Sequence, residues 1–183
     1  MFWLIIILIM AALIGPVVYL MPTKREKRQS EARLLARKVG MRVRVETLPD
    51  FNIRREEIVS PSGIARSPTL EITVYRLRLP KLDERTSSWI IYKSNNLVVG
   101  YVWSPLKGWV WEGLGTDTLP IPENYWERLE KAMTELPGKC LALEVTNEFV
   151  AWKGKEAFDN QSSELFVERM KKALSDIAKI QEI

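Results

Sequence analysis

Two groups of residues in this sequence have types and spacings that could do chemistry, and both suggest binding rather than catalysis. The first is basic. In "TKREKRQSEARLLARKVG", residues 23 to 40, Lys24, Arg25, Lys27, Arg28, Arg33, Arg37 and Lys38 are set against only Glu26 and Glu31, a local excess of +5. The rest of the chain sums to −1, so the net charge of +4 and the pI of 9.2 come from this one segment. Cations at that density suit anionic headgroups, at about 1 kcal/mol each near a charged surface. They also suit a topology signal, because basic residues mark the side of a membrane on which a segment stays. A nucleic-acid-binding domain would carry its positive face on the folded part; here that part is near neutral, and no nucleic acid is inferred. The second group is aromatic. In "YVWSPLKGWVWEG", Tyr101 and Trp103 alternate along one strand, and Trp109 and Trp111 along the next. If the strands pair across the loop, the four rings stand side by side, with Val102 and Val110 opposite. Such a ladder is either core or an exposed patch for a partner.

Catalytic constellations are not evident. The chain has no histidine, which removes Ser–His and Cys–His nucleophile pairs, HExxH zinc sites and any imidazole base. The single cysteine, Cys140, cannot form an intramolecular disulfide, and it begins a strand as a small buried residue would. The pairs Glu56-Glu57 and Asp83-Glu84 are neighbours in probable loops, where solvated charge is the simpler reading. "GLGTDT", residues 113 to 118, lacks the lysine and the strand–helix context of a phosphate loop. No catalytic residue, metal, cofactor or small-molecule substrate is inferred.

The elements that must position these residues begin with an apolar run. Phe2 to Met21 is twenty residues without a charge. As a helix it would measure about 30 Å, the thickness of a bilayer's hydrocarbon layer. A secretory signal would carry positive charge before the run and a small-x-small cleavage site after it; neither is present. The expectation is a retained transmembrane anchor over residues 1–22. Basic residues follow it directly, so the N-terminus is expected outside and the rest of the chain in the cytoplasm, at a bacterial inner membrane. Thr23-Lys24-Arg25-Glu26 has the capping-box pattern, which predicts a basic juxtamembrane helix over Lys24 to Val39, within 23–40. Ala32, Leu35, Ala36 and Val39 form its apolar stripe, and Gly40 is suited to end it.

Residues 41–183 read as one α+β domain. "MRVRVETL" alternates, with Met41, Val43 and Val45 on one face and Arg42, Arg44 and Glu46 on a wet one. Residues 49 to 68 are polar and proline-broken, with space for a short helix near Asp50 to Ile58. In "TLEITVYRLRLP" the apolar positions change parity near Tyr75-Arg76, which predicts a bulge or bend. Trp89 to Lys93 and Leu97 to Trp103 are expected to form a hairpin around Ser94-Asn95-Asn96, and Trp109 to Trp111 to continue the sheet. A helix carrying Trp126, Leu129, Met133 and Leu136 follows, then strands over Cys140 to Thr146 and Phe149 to Lys153. A last amphipathic helix, Ser163 to Ile180, presents Phe166, Met170, Ala173, Leu174 and Ile177 to the core. The expected architecture is an antiparallel sheet with helices packed on one face. Its element order is similar to that of type III secretion chaperone-like folds.

The stretch "LIGPVVYLMPTKREKRQSEARLLARKVGMRVRVE" resembles the layout of YajC-type accessory subunits of the bacterial preprotein translocase: a membrane helix, a proline, a basic helix, a glycine and a strand. It also resembles uncharacterised single-pass membrane proteins of proteobacteria. The resemblance covers about the first quarter of the chain and implies an accessory role beside a membrane partner. The expected function is that of an adaptor, whose anchored domain holds another protein at the membrane by raising its effective concentration. The alternatives are anionic-lipid recognition by the basic helix and the aromatic patch, and a histidine-independent enzyme.

Overall fold

The computed structural model describes residues 2, 3, 6, 10, 21–50, 69–79, 88–95, 100–112 and 124–181. Their elements run α1 (Lys24–Lys38), β1 (Arg42–Pro49), β2 (Thr69–Arg78), β3 (Trp89–Lys93), β4 (Tyr101–Trp103), β5 (Trp109–Glu112), α2 (Tyr125–Thr134), β6 (Lys139–Val145), β7 (Phe149–Lys155) and α3 (Ser163–Gln181). The seven strands form one antiparallel sheet in the order β1-β2-β7-β6-β3-β5-β4. Five strands precede α2, where the chaperone-like order has three.

The expected membrane anchor is corrected. Among the described residues no helix is long and apolar enough to cross a membrane. The longest, α3, has 19 residues and is amphipathic: its buried stripe alternates with Glu164, Glu168, Lys171 and Lys172, whereas a span needs about 20 apolar residues in a row. Phe2, Trp3, Ile6 and Met10 are helical and exposed; the rest of residues 1–20 lie outside the described residues. The single-pass, inner-membrane placement, with its outside N-terminus and cytoplasmic domain, rested on that anchor and is withdrawn with it.

Helix α1 starts where its capping residues require. The Thr23 hydroxyl accepts from the Glu26 N–H at 3.2 Å, and the Thr23 N–H donates to Glu26 Oε2 at 2.7 Å. That reciprocal pair satisfies two otherwise orphaned donors, and such a cap is worth about 1 kcal/mol. These bonds also hold the exposed Glu26 carboxyl below its ordinary range. Gly40, at φ +90°, turns the chain into β1, a conformation in which glycine meets no steric penalty.

The helices pack on one face of the sheet. Tyr75, Trp152, Leu143 and Ile91 lie opposite one another across successive strands and are fully buried under Phe166, Met170, Leu174 and Ile177 of α3, Leu129 of α2, and Ala32 and Ala36 of α1. Tyr75, Trp152 and Phe166 meet edge-on, with ring centroids 5.6 to 6.4 Å apart. The second face carries a smaller apolar group, Leu48, Ile72, Val74, Ala142 and Ala151, and no described helix.

Two local expectations change. The parity switch in β2 is not a bulge: pairing with β1 is unbroken from Arg42–Arg76 to Pro49–Thr69. Ile72 to Tyr75 are instead buried on both faces, and the apolar residues then pass from the second face (Ile72, Val74) to the helix face (Tyr75, Leu77). The irregularity lies in β6, between Cys140 and Ala142. Strands β3 and β4 do not form a hairpin, because β5 lies between them and pairs with both. The possible helix near Asp50 to Ile58, the Glu56-Glu57 and Asp83-Glu84 pairs and the 113–118 glycine loop lie outside the described residues, apart from Asp50.

Candidate binding site: an arginine groove on the second face

Strands β1 and β2 each place two arginines at alternate positions, Arg42 and Arg44 on one and Arg76 and Arg78 on the other. Side chains two apart in a strand share a face. The antiparallel register sets Arg42 directly across from Arg76, and Arg78 across from Phe149 of β7. All four guanidinium groups therefore stand on the second face, around a groove of about 470 Å³ closed by Leu79, Asn147, Glu148 and Phe149. Like charges directly opposite in a strand pair are destabilising, so this arrangement needs compensation.

Part of that compensation is internal. Arg76 pairs with Glu46 at 2.6 Å and lies 4.8 Å from the centroid of the Phe149 ring, a stacked position that favours guanidinium. Its Nε is buried without a hydrogen-bond partner among the described residues. Glu46 is shared with Lys153, whose buried ammonium is 3.3 Å away and also lies 2.9 Å from Glu144 Oε2. The second contact is close enough for an ion pair, but its angle is outside hydrogen-bond geometry. Arg42, Arg44 and Arg78 are exposed and have no ion pair among the described residues. The groove thus holds three guanidinium groups without an ion pair, outnumbering the one lining carboxylate, Glu148, beside an aromatic and an aliphatic wall; the combination is suited to carboxylate or phosphate oxygens, which guanidinium binds through paired N–H donors.

The seven basic residues of α1 do not act as one set. Lys24, Arg25, Lys27, Arg28, Arg37 and Lys38 are exposed, but Arg33 turns toward the sheet. Arg33 Nε donates to Glu156 Oε1 at 3.1 Å, and its terminal nitrogen donates to Glu156 Oε2 at 2.9 Å and to Thr73 Oγ1 at 3.0 Å. The Tyr75 hydroxyl donates to the same Glu156 carboxylate at 2.5 Å. The hydrogen bond to Glu156 raises the Arg33 pKa further, while burial, then Glu156, push that of Tyr75 well above the usual phenol range. Ser163, at the start of α3, donates to Glu31 Oε2 at 2.8 Å. Helix α1 is therefore bolted to the domain as part of its core, with Arg33 in a structural role.

The aromatic ladder is split. Val102 pairs with Trp111 and Trp103 with Val110, so the registers of β4 and β5 are offset by one and the rings go to opposite faces. Trp109 and Trp111 join the helix face, where the Trp111 ring meets Trp126 edge-on at 5.4 Å. Tyr101 and Trp103 go to the second face; Tyr101 packs against Tyr92 at 5.6 Å, and Trp103 is 47% exposed at the sheet edge. A continuous four-ring patch is absent.

Nucleophile and metal chemistry find no site among the described residues. Burial pushes the Cys140 thiol up to about 12: the residue keeps some exposed surface, but its sulfur lies in a desolvated position, directed at the Ala142 carbonyl at 3.5 Å. At neutral pH it is a thiol, not a thiolate. No group of three or more histidine, cysteine, aspartate or glutamate residues could hold a metal ion among the described residues. The signal for the arginine groove was present in the sequence, as two Arg-x-Arg strands with polar faces. It becomes readable only once β1 and β2 are known to pair. Comparison with protein-family models, curated proteins and solved structures finds no match to this chain.

Proposed function

We propose that this chain is a non-catalytic protein-binding module that holds an acidic segment of a partner protein in the arginine groove. The observation that carries this reading is the convergence of four guanidinium groups from two neighbouring strands, three of them without an ion pair among the described residues and with the single carboxylate of Glu148 among the groove's lining. Clustered positive charge steers an acidic partner during encounter and selects against cationic ones. Arg76, fixed by Glu46 and stacked on Phe149, supplies a pre-oriented donor, so less side-chain freedom is lost on binding. Leu79 and Phe149 add an apolar wall for the stems of acidic side chains.

Fluorescence anisotropy with a labelled oligoglutamate peptide tests the reading. The full chain should bind oligoglutamate and not oligolysine, with affinity falling as salt is raised. Arg42→Gln with Arg78→Gln should weaken binding at least tenfold without changing the unfolding midpoint. An oligonucleotide of equal charge binding as tightly as oligoglutamate, or oligoglutamate binding that the double variant leaves intact, would overturn it.

A further inference from the structure

The sheet treats its two edges differently. The β4 edge is three residues long, whereas β1 runs for eight and has a strand neighbour on one side only among the described residues. A long unpaired edge is a template for another strand, and folds usually blunt it by shortening or by charge. On the second face of β1 that charge is Arg42 and Arg44, followed by Glu46, which Arg76 and Lys153 already pair. Arg42 and Arg44 rise from β1 on the second face, beside the groove, and Val43 and Val45 point to the helix face. Val43 is partly covered by the core, but Val45 is 50% exposed. Beside Val45 a second cavity, of about 250 Å³, opens between the sheet and α1, lined mainly by polar and charged side chains, among them Arg25, Arg33, Glu71, Lys155 and Glu156.

The two faces of the edge strand therefore differ, with two arginines beside the groove on one and the exposed apolar Val45 on the other. An extended peptide also alternates its side chains between two faces. From this juxtaposition we infer that the partner binds by strand addition: an extended segment with alternating acidic and apolar residues pairs with the β1 backbone. Its carboxylates meet Arg42 and Arg44, and its apolar side chains cover the exposed Val45. This deepens the reading of the groove as an acidic-segment site and rests on it. The two arginines that deter indiscriminate edge pairing admit a strand carrying the opposite charge, so one device supplies both exclusion and selection. Main-chain hydrogen bonds give such a complex its affinity, and the alternate side chains its specificity.

The test uses the full chain and a labelled octapeptide of alternating glutamate and valine. An added strand presents every second N–H to its neighbour, so the peptide is N-methylated at alternate residues in each of the two phases. Methylation in one phase should weaken binding at least tenfold, and in the other less than threefold. In hydrogen exchange, the bound peptide should protect alternate amides between Arg42 and Pro49. Loss in both phases or in neither overturns strand addition. So does concentration-dependent protection of the β1 amides without peptide, which would make a second copy of the chain the occupant. A peptide of the same composition with its glutamates and valines in separate blocks tells the two readings apart. If the block peptide binds as tightly as the alternating one, strand addition fails while acidic capture stands. If neither binds, acidic capture itself fails.

Discussion

Arg33→Met keeps an aliphatic stem where α1 meets the sheet but removes an ion pair and three hydrogen bonds at once. What remains is the Glu156 carboxylate, 1% exposed, with only the Tyr75 hydroxyl donating to it among the described residues. Deleting one partner of a buried pair typically costs about 3–5 kcal/mol, because an uncompensated charge is left inside. The Arg33 side chain is 33% exposed, so solvent already screens part of the attraction and the lower end applies, about 3 kcal/mol. Glu156→Gln should cost less, about 1–2 kcal/mol, because an amide oxygen still accepts one bond and the guanidinium can be hydrated from its open side. The double variant Arg33→Met/Glu156→Gln removes both charges and should come within about 1 kcal/mol of the parent, a coupling of several kcal/mol. Urea unfolding followed by tryptophan fluorescence reads all three, with an unchanged m-value as the check that only stability has moved. If Arg33→Met unfolds at the parent's midpoint, or if the double variant is no better than the single one, α1 is not held by this network.

Three further outcomes follow from the same geometry. Gly154→Ala should destabilise by about 2–3 kcal/mol in urea unfolding, since a Cβ there would collide with the Lys139 carbonyl oxygen and come within 2.8 Å of the Trp152 ring, forcing β6 and β7 apart. At pH 8, Cys140 in the folded chain should react with a disulfide reagent far more slowly than in the urea-unfolded chain, because burial raises its thiol to about 12; equal rates would contradict the burial. Tyr75 and Tyr125 are both raised, chiefly by burial. The unfolded chain therefore releases these protons near pH 10 while the folded chain keeps them. It binds fewer protons than the folded chain above that pH, so stability is fully present below pH 10 and falls as pH rises above it, with a slope of at most about 1.4 kcal/mol per pH unit for each tyrosine. The tyrosinate absorbance of these two residues, read as the difference between the parent and the Tyr75→Phe/Tyr125→Phe variant, should rise together with unfolding, not before it.

Local chemistry was the legible part of this sequence. The Thr23–Glu26 capping box, the glycine after α1, the amphipathic stripe of α3 and the alternation of β1 all follow from nearest neighbours, and they position their elements closely. What depends on distant pairing was not legible. The aromatic residues have a clear period, but which face they share is decided by the one-residue offset between β4 and β5, set by the 104–108 turn. Arg33 looks like its six basic neighbours; only the return of Glu156, more than a hundred residues later, makes it a core residue. The arginine groove is similar: its four members lie in two segments that acquire meaning when β1 pairs with β2 and β7 closes the end. The N-terminal run was read from hydropathy alone, which measures affinity for an apolar medium without saying which one.

A charge-swap cycle tests acidic capture most directly. Arg42→Glu with Arg44→Glu should abolish binding of the alternating glutamate–valine peptide and create binding of the matching lysine–valine peptide, while the parent binds only the acidic one. If the reversed protein still prefers glutamate, or if neither protein distinguishes the two peptides, the arginines on β1 do not read the partner's charge and the groove is not its binding site.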